Sequence, residues 1–243
     1  MISRLLPSKI LLTIYFWFAA AIGTIITSIV CLIIYPFASQ KKFMEIYEYI
    51  IGYIILKLMV IPGFWSFSVI DLRTNKSFNN QYIFISNHSS FIDTLLTAQI
   101  PVTKRFIMAK KYSKIPLFGW LCIISGQVLV ENSDETSRKE AFQTLIKSAT
   151  DGISYMIYVE GTRSSDPYTL LDFKSGAFRL AQKTGIPIVP LVIRGAGTAM
   201  PVGGMCRPAN LEIIIGDPIY ITDIDEGIKK SRDFIKNYLV DIN

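Results

Sequence analysis

The chain has 243 residues, one domain's length, with room for a single sizeable core and an appendage. Apolar residues make up 51% and charged residues only 18%, well below the usual quarter, and the formal net charge is +6. A basic surface suits anionic lipid or nucleic acid. No nucleic-acid-binding motif accompanies it, so a nucleic acid partner is not expected. One histidine and three widely separated cysteines, Cys31, Cys122 and Cys206, build no metal site, and no cofactor is called for.

The apolar excess sits at the N-terminus. Residues 10–40 carry no charged side chain, a run long enough to cross a bilayer or bend within it. A secretory signal would have a shorter apolar region with small residues after it, whereas Ala19, Ala20 and Ala21 lie inside this run. A membrane helix or helical hairpin is favoured. A second apolar stretch, 49–70, holds only Lys57 as a charge and is broken by Pro62 and Gly63. Lysines flank the first run on both sides, at Lys9 and at Lys41 and Lys42, so charge bias sets no orientation. Residues 1–65 are expected as a membrane-associated helical segment and 66–243 as an α/β domain.

Beyond residue 65 the pattern alternates. Residues 67–72 and 81–86 read as strands joined by a turn at 75–80, followed by a short helix over 91–99 and strands over 106–109 and 127–131. Residues 132–149 read as an amphipathic helix with Phe142, Leu145 and Ile146 on one face, and Asn132 with Glu135 as its capping box. A strand over 154–159, a helix over 173–184 stopped by Gly185, strands over 186–193 and 211–215, and a helix over 226–240 complete the chain. Such alternation argues for an α/β sheet with helices on its faces. Lys104, Arg105, Lys110, Lys111 and Lys114 form the one basic cluster, either a solvated face or a patch for phosphates.

The only histidine, His88, follows the apolar run Tyr82-Ile83-Phe84-Ile85 and precedes Asp93 by five positions. An imidazole can take up and return a proton near neutrality. A histidine just before a helix can fold back onto a carboxylate in its first turn, which would fix one ring nitrogen as donor and free the other as base. Ser89 and Ser90 suit local capping. Parallel neighbouring strands ending at His88 and at Glu160 would bring both loops into one cleft.

His88 and Asp93 reproduce the His-x4-Asp motif of the glycerolipid acyltransferases, and further blocks follow in order. Tyr158-Val159-Glu160-Gly161-Thr162-Arg163-Ser164 resembles the family's Glu-Gly-Thr-Arg block, Phe173-Lys174-Ser175-Gly176-Ala177 its Phe-Lys-x-Gly-Ala stretch, and Ile186-Pro187-Ile188-Val189-Pro190 its apolar Pro-x-x-Pro block. Met108-Ala109-Lys110-Lys111 and Ile115-Pro116-Leu117-Phe118-Gly119 resemble the intervening segment. The resemblance spans roughly residues 65 to 220 and points to bacterial 1-acyl-glycerol-3-phosphate acyltransferases. One position departs: the family usually places an arginine where Asn132 stands, and an amide is no substitute for a guanidinium fork on a phosphate.

The resemblance implies an α/β fold, a single acyltransferase domain with a central mixed sheet flanked by helices, preceded by an N-terminal membrane-embedded helical pair. It implies acyl transfer from acyl-CoA or acyl-carrier protein to the hydroxyl of lysophosphatidic acid at the cytoplasmic face of the cell (inner) membrane, giving phosphatidic acid. His88 is the expected general base and Asp93 its support. Arg163 is expected to hold the acceptor phosphate, Glu160 either to bond the acceptor or to brace the turn, and Gly161 and Thr162 to shape it, with Lys110 a further phosphate contact. Asn132 leaves another lysolipid, such as a lyso-ornithine lipid, as the alternative acceptor. A serine hydrolase lacks its Gly-x-Ser-x-Gly elbow here, and a non-catalytic lipid-binding protein would not need the His88, Asp93, Glu160 and Arg163 set.

Overall fold

The computed structural model describes residues 9–50, 52, 56–57 and 63–239. Helix α1, Lys9–Ile34, is long and apolar enough to cross a membrane by length and composition. Ile14, Phe18, Ile29, Leu32 and Ile33 lie exposed along it. Leu12 and Phe16 are instead buried in the main core with Trp65, and Thr13 Oγ1 accepts the backbone N–H of Cys206 at 2.9 Å. Helix α2, Gln40–Tyr49, is short and mostly polar. Among the described residues one long apolar helix is present, and the expected pair is not shown. Part of the second apolar stretch, 51, 53–55 and 58–62, lies outside the described residues.

Seven strands form one mixed sheet: β1 Trp65–Asp71, β2 Ile83–Ser86, β3 Lys104–Ala109, β4 Val128–Val130, β5 Ser154–Tyr158, β6 Ile188–Arg194 and β7 Ala209–Ile215. Their order is β1-β7-β6-β2-β5-β3-β4, and only the β6–β7 pair is antiparallel. Central β2 is buried on both faces, which explains why its sequence is an uninterrupted apolar run. Side-chain alternation divides it: Phe84 joins one core with α1 and helix α3, Asp93–Thr97, while Ile83 and Ile85 join the other. Helices α5, Glu135–Lys147, α6, Gly176–Thr184, and α8, Ile224–Leu239, cover that second face. Two short helices, α4 Phe118–Ile124 and α7 Ala196–Ala199, complete the set.

Several local expectations shift. Helix α5 starts at Glu135, and its N-cap is Asp134, whose side chain accepts the Thr136 N–H at 3.0 Å. The capping box on Asn132 does not form. Helix α6 starts at Gly176 rather than 173 and ends, as predicted, at Gly185 in the left-handed region (φ 74°). The helix expected over 91–99 is confined to Asp93–Thr97. The basic cluster also divides. Lys104 and Arg105 are buried. Lys104 Nζ donates to the carbonyls of Ile100 and Val102 and lies 3.5 Å from Glu48, while Arg105 pairs with Asp151 at 3.0 Å. Only Lys110, Lys111 and Lys114 remain exposed.

Candidate active site

Strands β2 and β5 are parallel neighbours, with Ser86 opposite Tyr158 at their C-terminal ends. The condition set from the sequence is thus met, and the loops beyond the two strands come together. Asn87 is stitched to β6, its Nδ2 donating to the Ile193 carbonyl at 2.9 Å and its Oδ1 accepting the Ile193 N–H at 2.8 Å. The His88 backbone is held from the other side: its N–H donates to Glu160 Oε1 at 3.0 Å, and its carbonyl accepts from Ser164 N at 2.8 Å. Glu160 Oε2 accepts the Leu171 N–H at 3.0 Å. Burial holds the Glu160 carboxyl above its ordinary range, against the pull of these two backbone donors.

Asp93 opens α3 and is fully buried. Its Oδ2 accepts the N–H groups of Ser89 and Ser90 at 2.8 and 2.9 Å and lies 2.7 Å from His88 Nδ1. An oxygen already receiving two donors is an acceptor, so Nδ1 is the nitrogen that donates to it, and Nε2 is the one this bond leaves free. Asp93 Oδ1 is buried with no hydrogen-bond partner among the described residues. Ser90 Oγ accepts the Ile92 N–H at 3.3 Å, the local bond expected of it, and donates to the Met200 carbonyl at 2.8 Å, but neither serine side chain caps α3. Against one face of the imidazole lies the Tyr158 ring, 3.9 Å between centroids and 11° from parallel.

His88 borders a cavity of about 550 Å³. On the α3 side its wall is Phe91, Leu95, Ala98, Phe106 and Met108, reaching Tyr47 and Glu48. Beyond the strand ends it is bordered by Gly161, Thr162, Arg163, Lys174, Asn132 and Arg138. Arg163, Lys174 and Arg138 form no ion pair among the described residues. One cavity thus joins an apolar channel, a fixed imidazole and a rim of cations, Lys111 among them. Phe91 also packs against Trp17 of α1 (5.9 Å between centroids), which sets the apolar helix beside the cavity.

Of the residues expected at the site, His88, Gly161, Thr162 and Arg163 line the cavity, and Asp93 supports His88 from behind. Two of the expected substrate contacts do not reach it. Glu160 is turned inward with both oxygens engaged, so it braces the turn, and Lys110 lies outside the lining, where its neighbour Lys111 stands instead. Gly161 adopts φ 70°, the left-handed conformation that makes glycine the favoured residue at this turn. Asn132 Nδ2 donates to the Gly161 carbonyl at 3.0 Å, tying the β4–α5 loop to that turn, and Arg138 Nη1 donates to the Asn132 carbonyl. Phe118 lines the cavity, whereas Trp120 packs beside Cys31 and Leu121. Tyr158 and Arg138 were not singled out as site residues from sequence; for Arg138 the available signal is a cation placed just after the helix N-cap that follows Asn132. Among the described residues no cluster of histidine, cysteine and carboxylate side chains is arranged to hold a metal, and the three cysteines are buried and free.

Comparison with known proteins gives a consistent picture. A 1-acyl-sn-glycerol-3-phosphate acyltransferase from Saccharomyces cerevisiae is 34% identical over 173 residues, 66% of this chain and 56% of that protein. The chloroplastic 1-acyl-sn-glycerol-3-phosphate acyltransferase BAT2 of Brassica napus is 28% identical over 225 residues, 91% of this chain. The chain spans 65% of the length of that plant relative. The fold matches the crystal structure of the 1-acyl-sn-glycerophosphate (LPA) acyltransferase PlsC from Thermotoga maritima, with a TM-score of 0.79 and 23% identity over 95% of this chain and 94% of that one. The acyltransferase family model matches residues 69–194, just over half of the sequence, and the chain belongs to that family.

Proposed function

We propose that this chain transfers a fatty acyl group from an acyl thioester to the free hydroxyl of lysophosphatidic acid, giving phosphatidic acid. The observation that carries the reading is that His88 borders one cavity lined both by apolar side chains and by Arg163, Lys174, Arg138 and Lys111. An amphiphile with a phosphate head and a reacting hydroxyl suits that layout. His88 Nε2 takes the hydroxyl proton as the oxygen attacks the thioester carbonyl. The tetrahedral intermediate then expels the thiolate, which leaves as the thiol with the proton returned by the imidazolium. Asp93 keeps Nδ1 protonated throughout. A thioester has a good leaving group, so no covalent enzyme intermediate is needed.

Arg163 and Arg138 hold the acceptor phosphate in this reading, since a guanidinium presents a fork of donors to phosphate oxygens. Arg138 puts a cation at the edge of the cavity where Asn132 offers only an amide, which favours lysophosphatidic acid over a lysolipid without a phosphate. The donor's acyl chain lies along the α3 channel toward Tyr47 and Glu48. Acyl-CoA or acyl-carrier protein serves as donor. Helix α1 rests in the cytoplasmic leaflet of the cell (inner) membrane, and its neighbour Phe91 marks the side from which lipid reaches the cavity.

An acyl-transfer assay on detergent-purified protein tests this, with both donors and lysophosphatidic acid beside a panel of other lysolipids. Phosphatidic acid formed by the wild type and reduced roughly 100- to 10,000-fold in His88→Ala is the expected result. Full turnover in His88→Ala would sink the mechanism, and product from another lysolipid alone would move the acceptor.

A further inference from the structure

One hydrogen bond at Nδ1 sets which nitrogen of His88 is protonated, yet it grips the ring by a single edge. An imidazole held only there can still tilt about that contact and swing Nε2 away from its target. Tyr158 removes this freedom. Its ring lies face to face with the imidazole at 3.9 Å and 11°, a separation at which any tilt drives ring atoms together. Tyr158 is itself anchored at both ends. Its backbone closes β5 opposite Ser86, and its hydroxyl is 3.4 Å from Thr94 Oγ1 and from Thr97 Oγ1. Both threonines belong to α3, the helix that carries Asp93. Edge and face of the imidazole are thus set by the same short helix. Burial raises the pKa of the Tyr158 hydroxyl above its ordinary value.

We infer that Tyr158 is a positioning residue for His88: its ring fixes the imidazole plane while Asp93 fixes the tautomer, and together they aim Nε2. This rests on the general-base reading given above. The single histidine makes the inference measurable, because ¹⁵N-histidine labelling yields the signals of one imidazole. The experiment compares the full chain in detergent with Tyr158→Leu, which removes the stacked ring, and Tyr158→Phe, which keeps it. Tyr158→Leu is expected to lower kcat roughly 10- to 100-fold, as small misplacements of a catalytic group do. KM for both substrates stays within about twofold, since binding is not what is lost. Tyr158→Phe is expected to restore kcat to within about threefold of wild type, because the ring face does the positioning. The Nδ1-protonated signature persists in the wild type and Tyr158→Phe, and is averaged or broadened in Tyr158→Leu. If Tyr158→Leu does not fold, Tyr158→Met is read in its place. Wild-type kcat in the Leu or Met variant, or equal losses in Leu and Phe, overturns the inference. Those outcomes beside an inactive His88→Ala leave the general-base reading standing, whereas an active His88→Ala ends that reading itself.

Discussion

The carboxylate of Glu160 accepts the backbone N–H of His88 at 3.0 Å, two residues beyond the point where Ser86 and Tyr158 face each other across β2 and β5. Parallel pairing brings the two loops out of the sheet at the same level, and Glu160 then locks one to the other. The acidic residue of the Glu-Gly-Thr-Arg turn is part of the scaffold under the base.

Glu160→Gln should therefore act first on stability. The amide offers only one acceptor where two backbone donors need one each, leaving an N–H unsatisfied at a cost of roughly 1–3 kcal/mol. Burial raises the folded-state pKa of Glu160 above its unfolded value. Its stabilising contribution is therefore largest below the unfolded-chain value and is lost as pH rises through the folded one. Thermal unfolding of wild type and variant from pH 4 to 7 checks this. The margin of wild type over Gln should shrink as pH rises, and a margin that widens would contradict the burial account.

Asp93→Asn turns one acceptor into a potential donor facing the N–H groups of Ser89 and Ser90 and His88 Nδ1. To bond the amide nitrogen, Nδ1 must give up its proton, which puts the proton on Nε2 and removes the base. A loss in kcat on the order of 10⁴-fold is expected, the size seen when the tautomer is inverted in a Ser-His-Asp site. The same labelled imidazole should report the exchanged tautomer.

At the cationic rim, Arg163→Ala is expected to lower kcat/KM for the lysolipid roughly 10- to 100-fold, from the 1.5–3 kcal/mol of a hydrogen bond to a charged group. The effect should fall mainly on KM. Arg138 is more exposed, so its alanine variant should lose less, within about tenfold. Added salt should weaken lysolipid binding by the wild type more than by either variant. Unchanged kinetics in both variants would place the phosphate elsewhere.

Ala98 lines the channel on the α3 side, and a phenylalanine there occupies space assigned to the acyl chain. Ala98→Phe should turn over shorter acyl donors preferentially while keeping activity on the shortest, with a stability cost of about 1–3 kcal/mol from overpacking. Competition between donors of graded length gives the readout. An unaltered length profile in a folded variant would remove the chain from this channel.

The sequence marked the segments before His88 and Glu160 as strands, because apolar runs and alternation report strands, but that the two are parallel neighbours came from the sheet order. It could not show which way Glu160 points, since a carboxylate after a strand reads alike whether it bonds substrate or backbone. Lys104 and Arg105 resembled a surface patch, and are instead enclosed with Glu48 and Asp151, partners 56 and 46 residues away along the chain. The cap of α5 moved from Asn132 to Asp134 because both side chains are good caps and only tertiary contacts choose. Asn132 is taken up by the Gly161 carbonyl. Tyr158 looked like any aromatic residue closing a strand, as a stacked pair 70 residues apart in sequence leaves no local mark.

Leu12 and Phe16 place one side of α1 within the same core as Trp65 and the central strands. The helix best suited to lipid is therefore also a wall of the folded body. Deleting it to obtain a water-soluble enzyme would open a hole where two large side chains had been, each worth about 2–5 kcal/mol when truncated. Any detergent or other amphiphile used with this chain must keep that greasy helix in place and shield its exposed side.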